Sequence, residues 1–460
     1  MPGVPDTGDT AWMMTATAMV LLMTPGLALF YGGMVRSKSV LNMMMMSFAS
    51  IGLVGILWVL YGYSMTFGTS VGDAGLVGDP TQFAGLQGLT AGTYLADAEA
   101  GTEVAVPLVG TIPSLVFVGF QATFAIITVA LISGAVADRM RFGAWTVFAG
   151  IWVSLVYFPV AHWVFAFDDV TAGAGGWIAN DLAAIDFAGG TAVHINAGIA
   201  ALVLAVVLGK RRGWPREPMR PHNLTLVMLG AALLWFGWFG FNAGSAVGSG
   251  AISAFAFLNT IVATAAAMIA WLFVERFRDG HPTSLGAASG VVAGLVAITP
   301  ACSSVSPLGA IAVGAIAGAL CALAVGWKFR FGFDDSLDVV GVHLVGGLAG
   351  TLLIGLFATA DSPAGVAGVF YGGGAEQLGK QAVGAFAVLA YSGIVTAIIA
   401  FACKFTIGLR VSDEDETTGI DETEHAESGY DFSSLRGGGG LGSSRPAAVA
   451  PVPATAGKES

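Results

Sequence analysis

Charge is scarce in this chain. Of 460 residues only 11% are Asp, Glu, Lys or Arg, while 55% are hydrophobic. Soluble domains average roughly 25% charged residues, so this scarcity, with a mean hydropathy of +0.77, excludes an ordinary soluble globular protein. Cysteine is scarcer still. Cys302, Cys321 and Cys403 lie in apolar runs without paired spacing, which excludes a disulfide framework or a thiolate metal site and leaves them as packing residues. The opening "MPGVPDTGDT" has no basic residue, so no secretory signal peptide is read there. No nucleophile motif, metal cluster or phosphate loop is present, so neither an enzyme nor a cofactor is expected. The "GGGG" at 437–440 reads as a linker, and no nucleic-acid partner is expected of a chain with net charge −11.

What the chain has instead is long apolar runs. A spanning helix needs about 20 such residues, and charge-free runs occur at 11–31, 43–67, 111–137, 142–167, 187–209, 339–360 and 381–403. Two more, 221–274 and 281–327, are too long for one span each. The first breaks at "NAGSAVGSG" and the second at "TPACSSVSP", so each is expected to be a helical hairpin. The expectation is an all-α membrane protein of eleven spans, with the bilayer as its surroundings. Basic residues alternate between connections: Arg36 and Lys38; Arg139 and Arg141; Lys210 to Arg220; Arg276 and Arg278; Lys328 and Arg330. The intervening loops hold only Lys380 beside acids such as Asp73, Glu103 and Asp168. By the positive-inside rule the N-terminus lies outside and the C-terminus inside.

Three regions follow: a membrane domain over 1–410, an acidic cytoplasmic segment over 411–430, and a Gly/Pro/Ala-rich tail over 431–460 that cannot build a core. The segment "VSDEDETTGIDETEHAESGY" has eight acids and no Lys or Arg. A solvated end and a partner-docking segment are both open readings of it.

Among six histidines, only His194 and His343 fall inside spans, the fifth and the tenth. A polar group in hydrocarbon is costly unless paired. One such histidine reads as a packing hydrogen bond. Two of them five spans apart suggest inverted five-helix repeats with a site where the halves meet. Each also follows an acid and glycines, in "DFAGGTAVH" and "DVVGVH". Counting from Phe187, His194 lies about 10 Å deep, and from Val339, His343 about 6 Å deep at 1.5 Å per residue. The two then meet only if span 10 begins near Phe331, with Asp338 held within protein. Phe120 and Phe124 in "GFQATF" share one helix face, as do Phe241 and Ser245 in "WFGFNAGS", and Phe165 closes span 4. Aromatic faces attract cations, though each ring alone also reads as ordinary core or lipid-facing packing.

The ordered set "LFYGGMVRSKSVLNMMM", "DFAGGTAVHINAG", "RPHNLTLVMLG", "WFGFNAGSA", "NTIVATAAA", "GLVAITPACSSV" and "DVVGVHLVGG" resembles the Amt/Mep/Rh ammonium transporters, most closely the bacterial Amt branch, over residues 10 to 430. The resemblance implies a homotrimer in the cell membrane with one pore per protomer. It implies that Phe124 and Phe241 are the pore gate, that His194 and His343 are the pore histidines, and that Phe124, Phe165 and Ser245 form the outer ammonium site. Asp186 matches the supporting acid, and residues 411–430 resemble the segment that docks PII-type signal proteins in bacterial relatives. Phe165 departs from the Trp usual at that vestibule position, which weakens the cation–π partner and removes an indole N–H.

Ammonium and K⁺ are similar in size, so a selective site must use N–H donors and a removable proton. The implied mechanism recruits ammonium, or methylammonium, at the aromatic and Ser245 vestibule and deprotonates it. Ammonia then crosses an apolar pore past two neutral histidines, and the proton crosses separately, making transport electrogenic. A passive ammonia gas channel and an ammonium sensor signalling through its tail are the alternatives.

Overall fold

The structure is a computed structural model describing residues 2–90, 93–97, 101–171 and 173–430. Its main elements are α1 Thr7–Met34, α2 Ser37–Phe67, α3 Ser114–Val136, α4 Phe142–Phe165, α5 Gly190–Leu208, α6 Leu224–Gly244, α7 Ala251–Arg278, α8 Ser284–Ile298, α9 Pro307–Phe331, α10 Val340–Phe357 and α11 Glu376–Thr406. Among the described residues, ten of these are long and apolar enough to cross a membrane, and α8, with 15 residues, is shorter. Both long apolar runs divide where the sequence breaks. α6 stops at Gly244 and α7 starts at Ala251, while α9 starts at Pro307, its first turn capped by Ser306 Oγ, which accepts from Gly309 N–H at 3.1 Å. Asn223 starts α6 in the same way, accepting from Leu226 N–H at 3.0 Å.

The all-α expectation needs one correction. Strands β1 Pro2–Gly3, β2 Thr93–Asp97, β3 Gly101–Val109 and β4 Ile112–Pro113 form a small antiparallel sheet, with β3 pairing to each of the others. The run "GTEVAVPLV" has three valines and one threonine, residues that suit a pleated surface, and it lies outside the spanning runs.

Small residues set the helix packing, as expected where no water drives helices together. α1 lies along α6, and a Cβ on Gly230 would strike the Phe30 backbone nitrogen. α7 lies against both α8 and α9. α5 is the most buried of the ten, so its residues face protein rather than lipid.

Two short helices, α12 Asp413–Thr418 and α13 Ile420–His425, fold back onto one end of the bundle. Glu416 accepts from Arg212 N–H at 2.8 Å and pairs with Arg410 at 2.6 Å. Asp421 accepts from the N–H groups of Leu41 and Asn42 at 3.0 and 2.8 Å, filling orphan donors at the start of α2. We call this end the tail face. Residues 431–460, expected to form the Gly/Pro/Ala-rich tail, lie outside the described residues.

Candidate functional site

α5 and α10 each open with a π-helical turn that carries its histidine, Gly190–Ile195 and Val340–Leu344. The helices cross antiparallel at two glycines, each four residues beyond a histidine. A Cβ on Gly198 would lie 2.5 Å from Leu344 N, and one on Gly347 would lie 3.0 Å from His194 Cβ. Without those side chains the helices close until the His194 and His343 rings are near parallel, 24° apart, with centroids at 5.3 Å and Nδ1 atoms at 3.3 Å. One Nδ1 donates to the other, so one ring keeps Nε2 as an acceptor and the other keeps Nε2–H as a donor. Both rings are buried, and His194 Nε2 has no hydrogen-bond partner among the described residues.

Two carboxylates hold these turns. Asp186 accepts from the N–H groups of Gly189 (2.8 Å), Gly190 (2.5 Å), Thr191 (2.8 Å) and Ala192 (3.2 Å), and from the Thr191 hydroxyl. Its oxygens therefore face backbone at the positive end of α5. On α10 the equivalent cap is Asp335, which accepts from Val340 N–H at 2.7 Å. Burial and the neighbouring Asp338 carboxylate push Asp335 above the usual carboxylate range. Asp186 and Asp335 each stand eight residues before their histidine, and each cap reaches the N–H three residues before it. Pairing Asp186 with Asp338 is thus corrected. Asp338 instead adopts a left-handed φ of 64°, as Gly189 does at 118°, and pairs with Lys328 at 2.7 Å. Span 10 does not begin near Phe331 either. α9 ends there, and the rings meet because residues 334–337 are buried and feed α10 from inside the protein.

On the side of the histidines away from the tail face, the Phe124 and Phe241 rings stack at 4.2 Å and 23°. Phe120 meets Phe124 edge-on at 4.9 Å, and Phe165 does so at 6.5 Å. Between this stack and the histidines runs a lumen lined by apolar side chains, among them Leu27, Ile127, Leu131, Leu234 and Val292. Beyond the stack, Asp186, Ser245, Ser303, Phe167 and Phe187 line a cup. The lumen holds about 10 Å³ and the cup about 430 Å³. A hydrated ion fits the cup, whereas the lumen takes one small molecule at a time. Ser245 Oγ donates to Phe241 O at 2.8 Å, which leaves its lone pairs to accept.

Besides Asp335, a group of side chains around Trp238 and Asn242 was not read from the sequence. Trp238 stacks on His194 at 5.5 Å and 20°, and its Nε1–H donates to Thr299 Oγ1 at 2.7 Å. Asn242 Nδ2 donates to Thr260 Oγ1 at 2.9 Å, and its Oδ1 lies 3.1 Å from Thr299 Oγ1. The spacing of Trp238 three residues before Phe241 puts both on one face and was the available signal. Trp163, two residues before Phe165, points away, donating to Leu76 O at 2.7 Å.

A family model described as "Ammonium Transporter Family" matches residues 11–430. The ammonium transporter of Mycobacterium tuberculosis is 67% identical over 95% of this chain and 92% of its own length. The crystal structure of Saccharomyces cerevisiae Mep2 superposes with a TM-score of 0.77 at 32% identity, over 89% of this chain and 88% of that one. A structure titled "Sensor Amt Protein" gives 0.81 at 28% identity, over 91% and 98%. Apolar helices, matched family model and close relatives agree: this multi-pass cell-membrane protein belongs to the ammonium transporter family.

Proposed function

We propose that the protein takes up ammonium at the cup, removes its proton at the phenylalanine stack, and conducts ammonia past His194 and His343 while the proton crosses separately. The observation that carries this reading is the stacked Phe124–Phe241 pair above a narrow apolar lumen that ends on two hydrogen-bonded imidazoles. A bare cation in such a lumen loses its hydration without replacement, whereas ammonia keeps both a lone pair and N–H donors for the imidazoles. On the cup wall Ser245 offers an acceptor, and Phe124 and Phe165, which meet edge-on at the stack rather than on that wall, supply aromatic rings to a cation that reaches them. K⁺ gains nothing directional from a hydroxyl acceptor. Asp186 acts by holding the start of α5 and by its charge near the mouth.

In this reading α8 is the eleventh span, the cup faces outside and the tail face is cytoplasmic. α1–α5 and α6–α10 are inverted repeats, supported by the antiparallel crossing and the matched caps. α11 is the extra helix. Three copies form a homotrimer, and the docked segment 411–430 offers a PII-type protein its contact at the tail face.

Current measured on reconstituted protein with ammonium, methylammonium and K⁺ in turn is the test. Ammonium and methylammonium should carry current, K⁺ should not, and His194→Ala should abolish it. Ammonium-dependent uptake without current would replace this mechanism with a passive gas channel. A sensor role has one observation in its favour, the packing of residues 411–430 onto the bundle. Flux that survives truncation at Val411 while nitrogen responses vanish would favour it.

A further inference from the structure

α11 stands outside the two five-helix halves, yet it touches α5 through polar groups at regular intervals. Gln381, with no exposed surface, uses its whole amide. Nε2 donates to Ile185 O at 2.7 Å and to Thr351 O at 3.2 Å, and Oε1 accepts from Ile185 N–H at 2.6 Å and from Gln377 Nε2 at 2.9 Å. Farther along, Ser392 Oγ donates to Asn196 O at 3.2 Å and Lys404 Nζ to Val207 O at 2.9 Å. The contacts fall in the same order on both segments, at Ile185, Asn196 and Val207 and at Gln381, Ser392 and Lys404, so α5 and the elbow before it run parallel to α11. The Gln381 contact differs from the other two because it joins three elements. Ile185 immediately precedes the Asp186 cap of α5, and Thr351 lies on α10, eight residues beyond His343.

We infer that Gln381 is a positioning residue for the conduit. Its amide braces the elbow from which α5 starts against α10 and thereby sets the separation of the two imidazoles. The geometry supports this on chemical grounds: both acceptor and both donor positions of the amide are filled, and the Ile185 N–H and C=O fix which way the amide points. Among the described residues, no other side chain bonds both backbone groups of Ile185. The inference rests on the transport reading above.

Two substitutions test it. Gln381→Met keeps length and apolar volume but leaves Ile185 N–H, Ile185 C=O and Gln377 Nε2 without this partner, while Thr351 C=O keeps its bond within α10. Its maximal ammonium current per folded protein should fall by about tenfold or more, and any effect on the cup, whose wall includes Ile185 and Asp186, is read separately as KM. Hydrogen exchange over 185–192 should quicken. Gln381→Glu accepts but does not donate when ionised, and regains a donor when protonated. Its current should therefore recover on acidification relative to wild type, and the Met variant's should not. Wild-type maximal current per folded protein in Gln381→Met, or a wild-type pH profile in Gln381→Glu, overturns the inference, and the Glu variant decides if the Met variant does not fold. If wild-type protein carries no ammonium current, the transport reading fails. Exchange over 185–192 then still decides the brace, and an unchanged rate in Gln381→Met removes it.

Discussion

Asp186 receives four backbone N–H groups and one hydroxyl. Asn at this position offers one acceptor oxygen and turns an NH₂ toward donors. Asp186→Asn should lose roughly 2–3 kcal/mol of stability and most of the flux, read by thermal unfolding in detergent and by methylammonium uptake. Thr299→Val keeps shape but leaves Trp238 Nε1–H without its acceptor. It should cost about 1–3 kcal/mol and reduce the current several-fold, since Trp238 backs the His194 ring. The histidines stood out because a polar side chain in a charge-free run demands a partner, whereas spacing placed Phe124 and Phe241 only on faces of their own helices and their pairing came from the family resemblance alone. Asp335 did not stand out, because the nearer Asp338 drew the comparison. Only the φ values and the bond to Val340 N–H establish a spacing of eight. Trp238 was hidden for a different reason: tryptophan is unremarkable in a span until something stacks on it.

Among elements, helix breaks at glycine, serine and proline were readable, since those residues interrupt or cap a helix for local reasons. The π turns under both histidines were not. They arise from the caps and from the crossing of α5 with α10, and a 3.6-residue pattern averages them away. The crossing itself carries a prediction. Gly198→Ala introduces a Cβ 2.5 Å from Leu344 N on a helix that alanine otherwise favours. The helices must part there, so the Nδ1 contact should lengthen and the current should fall by about a hundredfold, while the protein still folds and reaches the membrane. A normal current in that variant would mean that the imidazoles need not touch. The small sheet was missed because its strands other than β1 are short and lie in a connection between spans, where the hydropathy pattern marks only a break; two of its three pairings are local hairpins and one joins β3 to distant β1.

The molecule as a whole is tied together at its tail face by charges that the hydropathy profile locates but does not pair. Arg211 meets Asp334 at 2.8 Å and Asp138 at 3.2 Å, all three buried. Burial would raise Asp334, but Arg211, with help from Arg139, holds it below its ordinary value of 3.8. A depressed carboxylate adds stability above its unfolded value and loses it as pH falls through the folded one. Wild-type protein should therefore lose thermal stability in the acid range below about pH 4. Asp334→Asn should be less stable at neutral pH and show a shallower acid limb in unfolding scans. The docked segment depends on Glu416, buried against Arg410 and Arg212 N–H. Glu416→Gln should free it, seen as faster protease cleavage between 412 and 425 with the membrane domain intact.

The stacked phenylalanines have a kinetic consequence. Ring centroids 4.2 Å apart leave no film of solvent between the two faces, so under the transport route proposed above passage waits for a ring to swing aside. Throughput is then a matter of how often that hinge moves rather than how fast a gas diffuses, and uptake should saturate with concentration and climb steeply with temperature, unlike flow through an open hole.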